Sequence, residues 1–419
     1  MSALAQILSL FASTANAHSG SERSTAMQAH LLFVGGLAPA ELNHHHHFSK
    51  RRFSCPITVF SRREAPAGFR QPFRINNRTD ASSGVTQYRI CMATSPSHDE
   101  LVSSMTGGMV REHSPFVATT NLRPDGRPAA ALRTELRAIN NLANAWTCLL
   151  SLAMPVTLIG IALWLNHWLV TLLIVCLMGF VQNRMFILHH EGAHRLLFSN
   201  RKFNDLIGIT IFGWLSFGTG THAYRRAHVN HHRDEFGDKE PDFLLYALYP
   251  ITGSSMRRKF RRDISGVSGY RILRPRLVGI TRKRFWRNSL RFYLGQLFIL
   301  LLFMVAGNPL AYFYLWLLPF MTVYQVVNRL RAIAEHGGMT RSNDRRKTTH
   351  HIQQGILARL FLVPLSVGHH LAHHVDSGVP FRNLPRLTRL LEEDGYITDA
   401  NTWPNYRSLW RALATKAEA

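Results

Sequence analysis

Long apolar segments separated by very short polar connections dominate the chain after residue 144. Each segment is roughly 17 to 21 residues long, which is enough for a helix to cross the hydrocarbon core of a bilayer. Two of them are separated only by Asn166-His167 and the other two only by Gly307-Asn308, and such short connections require antiparallel hairpins. The pattern predicts an all-α integral membrane fold with four transmembrane helices in two hairpins. The predicted spans are Ala145 to Leu165, Trp168 to Leu188, Leu290 to Ala306 and Pro309 to Val327.

Two further apolar stretches are too short to cross a bilayer. Asp205 to Gly218 has about 14 residues and Ile356 to Val367 about 12, lengths typical of helices at the membrane interface or packed inside the protein. We therefore expect both stretches to stay on one side of the membrane.

The polar regions suggest how the chain is divided. Residues 1–91 show no sustained hydrophobic period of 2 or 3.6, so they are interpreted as a disordered or non-native extension, with the working protein beginning near Met92. Residues 92–142 are expected to form a cytoplasmic N-terminal segment and residues 143–391 the membrane domain. Residues 392–419 are expected to form a cytoplasmic C-terminal segment.

The charge distribution favours a membrane protein over one that binds nucleic acid. The chain carries 49 Lys and Arg against 25 Asp and Glu, a formal net charge of +24. Residues 253–288 lie between apolar segments and hold 12 Lys and Arg with one acid, whereas the two tight turns hold no Lys or Arg. By the positive-inside rule, both termini and this central loop face the cytoplasm. The loop is also open to interpretation as a docking surface for an acidic partner or substrate head group.

The cysteines bear on the fold class, and the histidines bear on a possible metal site. Four scattered cysteines exclude a disulfide-stapled secreted fold. Of the 23 histidines, 14 lie between His189 and His374, and eight of these form three clusters with spacings of three or four residues. On a helix, such spacings place imidazoles on one face, where they can converge on a metal ion. The clusters are His190 and His194; His228, His231 and His232; and His370, His373 and His374.

The number of imidazoles indicates two metal ions. Eight or nine nitrogen donors exceed what one tetrahedral zinc ion accepts, and they suit two ions with four or five ligands each. Nitrogen ligands fit Zn, Cu, Fe or Ni, so spacing alone does not identify the metal. Few carboxylates lie near the clusters in the sequence, unlike the Glu-rich soluble di-iron bundles. If the short apolar stretches do not cross the bilayer, the clusters meet in a cytoplasmic, His-rich helical cap.

Two other classes of protein fit parts of this pattern. His190-Glu191-Gly192-Ala193-His194 is also an H-E-x-x-H signature, in which Glu191 would be the general base of a zinc protease. A protease needs only one further ligand, so this interpretation leaves the other two clusters without a role. A metal transporter is the second alternative, although transporters place ionisable ligands inside their spans and the third and fourth predicted spans have none in their centres.

The order of the clusters, with paired spans between them, resembles the membrane fatty acid desaturase family, which carries one H-x-x-x-H and two H-x-x-H-H boxes. The resemblance covers about Ala143 to Leu391 and extends to short motifs outside the boxes. Two departures are Glu240, where the family usually has Asp, and Ala372, where many members have Glu. The motifs are Tyr224 to Ala227, Glu240 to Tyr246, Arg331 to Gly337 and Val379 to Pro385.

The resemblance implies an O2-dependent oxidoreductase that desaturates a fatty acyl chain, taken from the lipid bilayer, at a centre of two non-haem iron ions. It implies the eight box histidines as metal ligands, with His336 as a ninth ligand or as a hydrogen-bonding neighbour of the ligands. We expect a separate electron donor such as ferredoxin, rubredoxin or a cytochrome, because the chain has neither a His-Pro-Gly-Gly cytochrome motif nor a G-x-G-x-x-G motif after a strand.

The same boxes would also serve a hydroxylase or ketolase of a lipid or carotenoid, which is the alternative within this class. The expected location is the bacterial inner membrane, in a multi-pass arrangement with the boxes on the cytoplasmic side.

The remaining histidines of this region are expected outside the metal site. His189 and His369 lie beside box residues and His222 lies a few residues ahead of one, so we assign them to hydrogen bonding or packing around the ligands. His350 and His351 have no helical partner and are expected to be solvated.

Overall fold

A computed structural model describes residues 76–79, 86–89, 105–237 and 240–415. Strands β1 (Asn76–Thr79) and β2 (Thr86–Arg89) pair in antiparallel fashion, and they belong to one of two units of the chain. The other described residues belong to a second unit, which contains all the histidine boxes. Apart from the two strands, the prediction for residues 1–91 lies outside the described residues.

The second unit is mostly helical. Its α-helices are α1 (Ala130–Leu136), α2 (Asn141–Leu165), α3 (Trp168–Ala193), α4 (Arg201–Asn204), α5 (Phe212–Leu215), α6 (Ala223–Arg233), α7 (Phe243–Tyr246), α8 (Gly253–Ile264), α9 (Val267–Val278), α10 (Trp286–Val305), α11 (Leu318–Met321), α12 (Val323–His336), α13 (His370–Val375), α14 (Leu384–Glu393) and α15 (Tyr406–Ala412). Asp205–Ile211, Tyr312–Leu317 and Ala358–Leu362 are π-helical, and Gly279–Thr281, Arg345–Lys347 and Asp399–Asn401 form 3-10 turns. Two short strands, β3 (His351–Ile352) and β4 (Thr402–Trp403), pair in parallel.

Helices α2, α3 and α10 are the helices in the described part of the chain that are long and apolar enough to span a membrane. Large apolar side chains project from them: Leu142 and Trp164 are each 83 % exposed and Val305 is 88 % exposed. Such surfaces are unfavourable in water, whereas in a bilayer they contact lipid. The three helices coincide with the first three predicted spans and support membrane association.

The fourth predicted span, Pro309 to Val327, is not a continuous helix. It is divided into the π-helical segment Tyr312–Leu317, α11 and the start of α12, and the backbone breaks at Thr322, where φ is −120° and ψ is −86°. Pro319 lies in this segment and has no backbone N–H to donate, so apolar composition overestimates the continuity of the helix. The arrangement of four spans in two hairpins therefore stays a prediction.

Polar side chains of α3 bond to backbone carbonyls of the irregular segments beside it. Nε2 of Gln182 donates to the carbonyl of Trp316 at 2.7 Å, and Nδ2 of Asn183 donates to the carbonyl of Leu362 at 2.9 Å. Both side chains are buried. Because an unpaired carbonyl is costly away from water, these bonds stabilise non-helical backbone against α3.

The C-terminal end of α3 is fixed by close packing and by a cation. A Cβ added at Gly192 would lie 2.5 Å from Cα of Gly208, so the backbones meet where only glycine fits. Arg225, from the predicted motif before the second box, donates to the carbonyls of Ala193 and Gly192, each at 2.9 Å. A guanidinium at this position satisfies the last carbonyls and the negative end of the helix dipole.

The motif after the third box connects it to the start of α2. Nε of Arg382 donates to Oδ1 of Asn144 at 2.7 Å, and Nδ2 of Asn383 donates to the carbonyl of Leu136 at 2.8 Å. The segment that follows the third box is therefore bonded both to α2 and to the end of α1.

Candidate metal centre

Helices carry the three histidine boxes, as their spacing predicts. Helix α3 continues past the predicted end at Leu188, carries His190 in its last turn and is capped by His194. Helix α6 carries the second box and α13 the third. Spacings of three and four residues therefore place the imidazoles of each box on a common helix face.

The nine predicted ligand histidines form two groups in the described part of the chain. In each group, one ring nitrogen from every histidine lies within 4.8 Å of the others. His336, which belongs to no box, joins the smaller group. The five-histidine group contains His190, His194, His228, His232 and His373, and the four-histidine group contains His231, His336, His370 and His374.

The two groups lie side by side because neighbouring residues are divided between them. His231 and His232 belong to different groups, and so do His373 and His374. Successive side chains on an α-helix diverge by about 100°, so one turn can reach both groups. The rings of His232 and His374 stack across the boundary with centroids 4.3 Å apart.

Ring nitrogens from different segments approach each other closely enough to share an ion. Nε2 of His228 lies 2.8 Å from Nε2 of His194, and Nε2 of His373 lies 3.1 Å from Nε2 of His232. Two nitrogens bound to one ion at about 2.1 Å and at right angles would be about 3.0 Å apart. Nε2 of His190 is buried without a hydrogen-bond partner, and such a nitrogen needs an ion or other ligand to compensate its burial. The donor set therefore fits two metal ions.

Carboxylates and one carbonyl orient the four-histidine group through its outer ring nitrogens. Nδ1 of His231 lies 2.9 Å from both carboxylate oxygens of Glu240, and Nδ1 of His374 donates to Glu235. Nδ1 of His336 donates to the carbonyl of Thr348 at 2.9 Å. A proton held on Nδ1 leaves the Nε2 lone pair directed at the centre, which is the tautomer that a metal requires.

Burial keeps most of these imidazoles in the neutral form that binds metals. It lowers the pKa of His194 to about 3, and with the neighbouring imidazoles it holds the pKa of His228 and of His232 well below 6.5. Burial also acts on His231, but the charge and hydrogen bond of Glu240 outweigh it and raise its pKa to about 10. A metal ion at His231 would displace the second proton of this ring.

Glu191 is held by the backbone after the third box. Its Oε1 accepts a hydrogen bond from the amide of Phe381 at 2.9 Å, and the side chain is 3 % exposed. It belongs to neither histidine group. A carboxylate in this position links the first box to the segment after the third.

The sequence assigns His189, His222 and His369 to hydrogen bonding or packing around the ligands. Nδ1 of His189 donates to the carbonyl of Gly208 at 2.8 Å, and Nδ1 of His369 lies 2.9 Å from Oγ1 of Thr388. His222 lies beside Asp205 with half of its side chain exposed. None of the three joins a histidine group.

The prediction that His350 and His351 are solvated is wrong, because they are 5 % and 6 % exposed. Nε2 of His350 lies 2.8 Å from the carbonyl of Gly337, and Nε1 of Trp403 donates to its Nδ1 at 3.2 Å.

Comparison with known sequences agrees with this site. The sequence profile described as "Fatty acid desaturase" matches residues 166–406, which include all nine histidines of the two groups. This chain belongs to the fatty acid desaturase family. It is also 26 % identical over 261 residues to the dihydrorhizobitoxine desaturase of Bradyrhizobium elkanii, an alignment that covers 56 % of this chain and 72 % of that protein. The resemblance inferred from the boxes is confirmed, and a desaturase-type oxidoreductase reaction is supported.

Sequence reasoning missed the carboxylates of this desaturase-family site. Glu235 and Glu335 were not predicted near the metal, and Glu240 was noted only as a departure from the family motif. In the structure, Glu335 lies 3.7 Å from Nδ1 of His370. Glu235, Glu240 and Asp242 also lie beside members of the four-histidine group. The available signal was Glu235 itself, which comes three residues after the second box.

Proposed function

We propose that this protein desaturates a fatty acyl chain with O2 at a centre of two iron ions held by its nine grouped histidines. The observation that carries the proposal is the meeting of five and four imidazoles in two adjacent groups. Imidazole nitrogen is a suitable ligand for iron. Membership of the fatty acid desaturase family and a relative named a desaturase favour removal of hydrogen over insertion of oxygen.

The proposed reaction converts neighbouring CH2 groups of the acyl chain into a C=C bond. The substrate gives up two hydrogen atoms, and O2 is reduced to two molecules of water. The remaining two electrons come from a separate donor and two protons come from solvent. Bound iron would supply the activation of O2, which no amino-acid side chain can provide.

The chain itself prepares the donors and excludes water. Hydrogen bonds from Nδ1 of His231, His336 and His374 fix the ring orientation and the tautomer before any ion arrives. Burial holds the other imidazoles neutral, so most ligands need not lose a proton on binding. The buried carboxylates offset part of the positive charge that two ions would bring.

The proposed topology places four spans in two hairpins in the bacterial inner membrane, with the histidine groups on the cytoplasmic side. The exposed apolar faces of α2, α3 and α10 and the basic central loop support it. Single cysteines at Asn166 and Asn308, in a background without native cysteines, should react with a membrane-impermeant maleimide on intact cells. A cysteine at Ser342 should react only after lysis, and the opposite pattern would refute this topology.

Product analysis tests the reaction itself. Cells that express the wild-type chain should contain a lipid lighter by the mass of H2, formed only when O2 is present, and the His373→Ala variant should form none. A product heavier by one oxygen atom would instead identify a hydroxylase, and a further oxidised ketone would identify a ketolase. Metal uptake into cells without any oxidised lipid would favour the transporter.

A further inference from the structure

Helix α9 lies beside the beginning of the candidate span α10. Oη of Tyr293, in the first part of α10, donates to the carbonyl of Leu277 at 3.1 Å. Gly279 follows α9 directly, and a Cβ added there would lie 2.4 Å from Oγ of Ser289 in the first turn of α10. These contacts hold α9 at the level where α10 begins. For a helix that crosses a bilayer, this is the level of the lipid head groups.

The side of α9 that faces the protein is closely packed. A Cβ added at Gly269 would lie 2.6 Å from Cα of Met321, so α9 meets α11 where only glycine fits, and Leu273 one turn later is buried. Helix α8, which precedes α9, is bonded to α12, because Nη2 of Arg329 donates to Oδ1 of Asp263 at 2.8 Å. The position of α9 is therefore fixed by α10, by α11 and, through α8, by α12.

The opposite side of α9 carries apolar and basic side chains together. They recur at intervals of three and four residues, so they share one helix face. These residues are Val267, Tyr270, Arg271, Arg274 and Val278, and all of them are exposed. A second exposed group, between the end of α9 and the first turns of α10, consists of Arg282, Lys283, Arg284 and Arg287. We call the two sets together the α9 surface.

The cations of the α9 surface have no acidic partner of their own. Within the described residues none of them pairs with a carboxylate, whereas Arg329 nearby pairs with Asp263. The first turn of α10 also contains no acidic residue, although the positive end of the helix dipole favours one there. Grouped positive charges repel each other, so an anion from outside the chain would stabilise this surface.

We propose that the α9 surface binds the phosphate groups of anionic phospholipids in the leaflet where α10 begins. Guanidinium groups such as those of Arg271 and Arg274 match phosphate oxygens in geometry and charge. Tyr270 lies between them and is 53 % exposed, and Trp286 at the start of α10 is also exposed. Aromatic side chains favour the boundary between head groups and acyl chains. This binding depends on membrane association and not on the proposed reaction.

A phospholipid matches this surface better than a soluble anion does. The apolar side chains of Val267, Tyr270 and Val278 are exposed on the same face as the arginines. Head groups would meet the cations, while the upper part of the acyl chains would cover the apolar side chains, as for amphipathic helices that lie in the membrane interface. A free phosphate or the acidic surface of a protein would meet the charges and leave the apolar side chains in water.

Lipid binding can be measured on the full purified chain in detergent micelles, without turnover. The lipid probes are dioleoyl-phosphatidylglycerol, which is anionic, and dioleoyl-phosphatidylcholine, which has the same acyl chains and no net charge. Two soluble probes, glycerol 3-phosphate and poly-glutamate, represent a free phosphate and an acidic protein. Native mass spectrometry measures lipid binding, and thermal unfolding measures the stabilisation by each probe.

Three variants separate a local effect from a general effect of charge. The test variant combines Arg271→Gln, Arg274→Gln and Arg284→Gln. The matched control combines Arg389→Gln, Arg407→Gln and Arg411→Gln, which remove the same charge at exposed arginines of α14 and α15. A third variant has lysine at the three positions of the test variant and keeps their charge.

We expect phosphatidylglycerol to bind and stabilise the wild type, and phosphatidylcholine to do so much less. The Kd for phosphatidylglycerol should rise about tenfold or more in the test variant and change less than about twofold in the control, because charges near the membrane surface act at close range. The lysine variant should bind within about threefold of the wild type. Equal weakening in the test variant and the control would show only an effect of net charge and would overturn the proposal.

The wild type alone also decides between the possible occupants, whether or not the variants fold. Equal binding of the two lipids would overturn the proposal, because it would show no role for the lipid charge. Stabilisation by glycerol 3-phosphate as large as that by phosphatidylglycerol would identify a site for a free phosphate. Stabilisation by poly-glutamate and not by phosphatidylglycerol would identify a docking surface for an acidic protein. Either of these results would overturn the proposal as well.

Discussion

Nε2 of His336 lies 3.1 Å from Nε2 of His370, although 34 residues separate them in the chain. Helix α12 ends at His336, and the carbonyl of Thr348 fixes the other ring nitrogen. A histidine outside all three boxes thereby completes the four-histidine group. This position favours the role of ligand over that of a hydrogen-bonding neighbour.

His336→Ala should reduce bound iron from about two ions to about one per chain and abolish desaturation, because three imidazoles remain in its group. Elemental analysis of the purified protein measures this. His350→Ala is the control, since His350 is equally buried but belongs to neither group, and it should keep both ions. Two ions in His336→Ala would contradict the assignment of His336 as a ligand.

Glu240→Gln should weaken metal binding about 10- to 100-fold, because a neutral amide no longer favours the proton on Nδ1 of His231. Loss of iron to a competing chelator gives the affinity. Glu112→Gln removes the same charge at an exposed site whose side chain is 92 % accessible, and it should leave the affinity unchanged. If both variants lose iron at the same rate, the hydrogen bond to His231 has no special role.

Gly192→Ala should destabilise the protein by about 1–3 kcal/mol, because the added methyl group would overlap the backbone of Gly208. Thermal unfolding in detergent measures the effect. Gly160→Ala is the matched control, since a Cβ there has no neighbour within 4 Å. Its unfolding temperature should equal or exceed that of the wild type. A similar loss in both variants would show that the close approach of the two glycines does not matter.

Asp376→Asn should destabilise the connection between the third box and the N-terminal segment. Asp376 is 3 % exposed and accepts from Nε of Arg133 at 2.6 Å and also from Arg137. Loss of hydrogen bonds to charged groups costs about 1.5–3 kcal/mol. Thermal unfolding measures this, and Asp125→Asn, at a more exposed ion pair, should change little.

The effect of Asp376→Asn should also depend on pH. Burial raises the pKa of Asp376, but the hydrogen bonds from Arg133 and Arg137 outweigh burial and hold the pKa below 3.8. The ion pair of Asp376 with Arg133 and Arg137 therefore stabilises the folded protein above pH 3.8. This stabilisation is lost as the pH falls through the lowered pKa of Asp376. The unfolding temperatures of wild type and variant should converge in that acidic range. A difference that persists there would exclude this ion pair as the cause.

Local patterns were enough to predict the boxes and most of the spans. The spacing of His228, His231 and His232 defines a helix face within one turn, and the apolar length of α2 and α3 defines two spans. These features depend on contacts within about four residues, which the sequence displays directly.

The features that sequence reasoning missed depend on distant segments. His350 is buried because Trp403 donates to it from 53 residues away, and nothing near His350 in the sequence indicates this partner. Glu235 becomes an acceptor for His374 only when α6 and α13 meet. The irregular fourth span is a milder case, since Pro319 has no backbone N–H and signals an interruption of the helix before it that composition conceals.

The division of adjacent histidines between two groups makes the boxes intolerant of changes in length. Inserting or deleting one residue in α6 or α13 would rotate the following ligands by about 100° and misplace members of both groups at once. The polar segment between His336 and His350 is not subject to that restriction, because no ligand lies within it. Relatives of this protein should therefore vary in length between the boxes and never inside them.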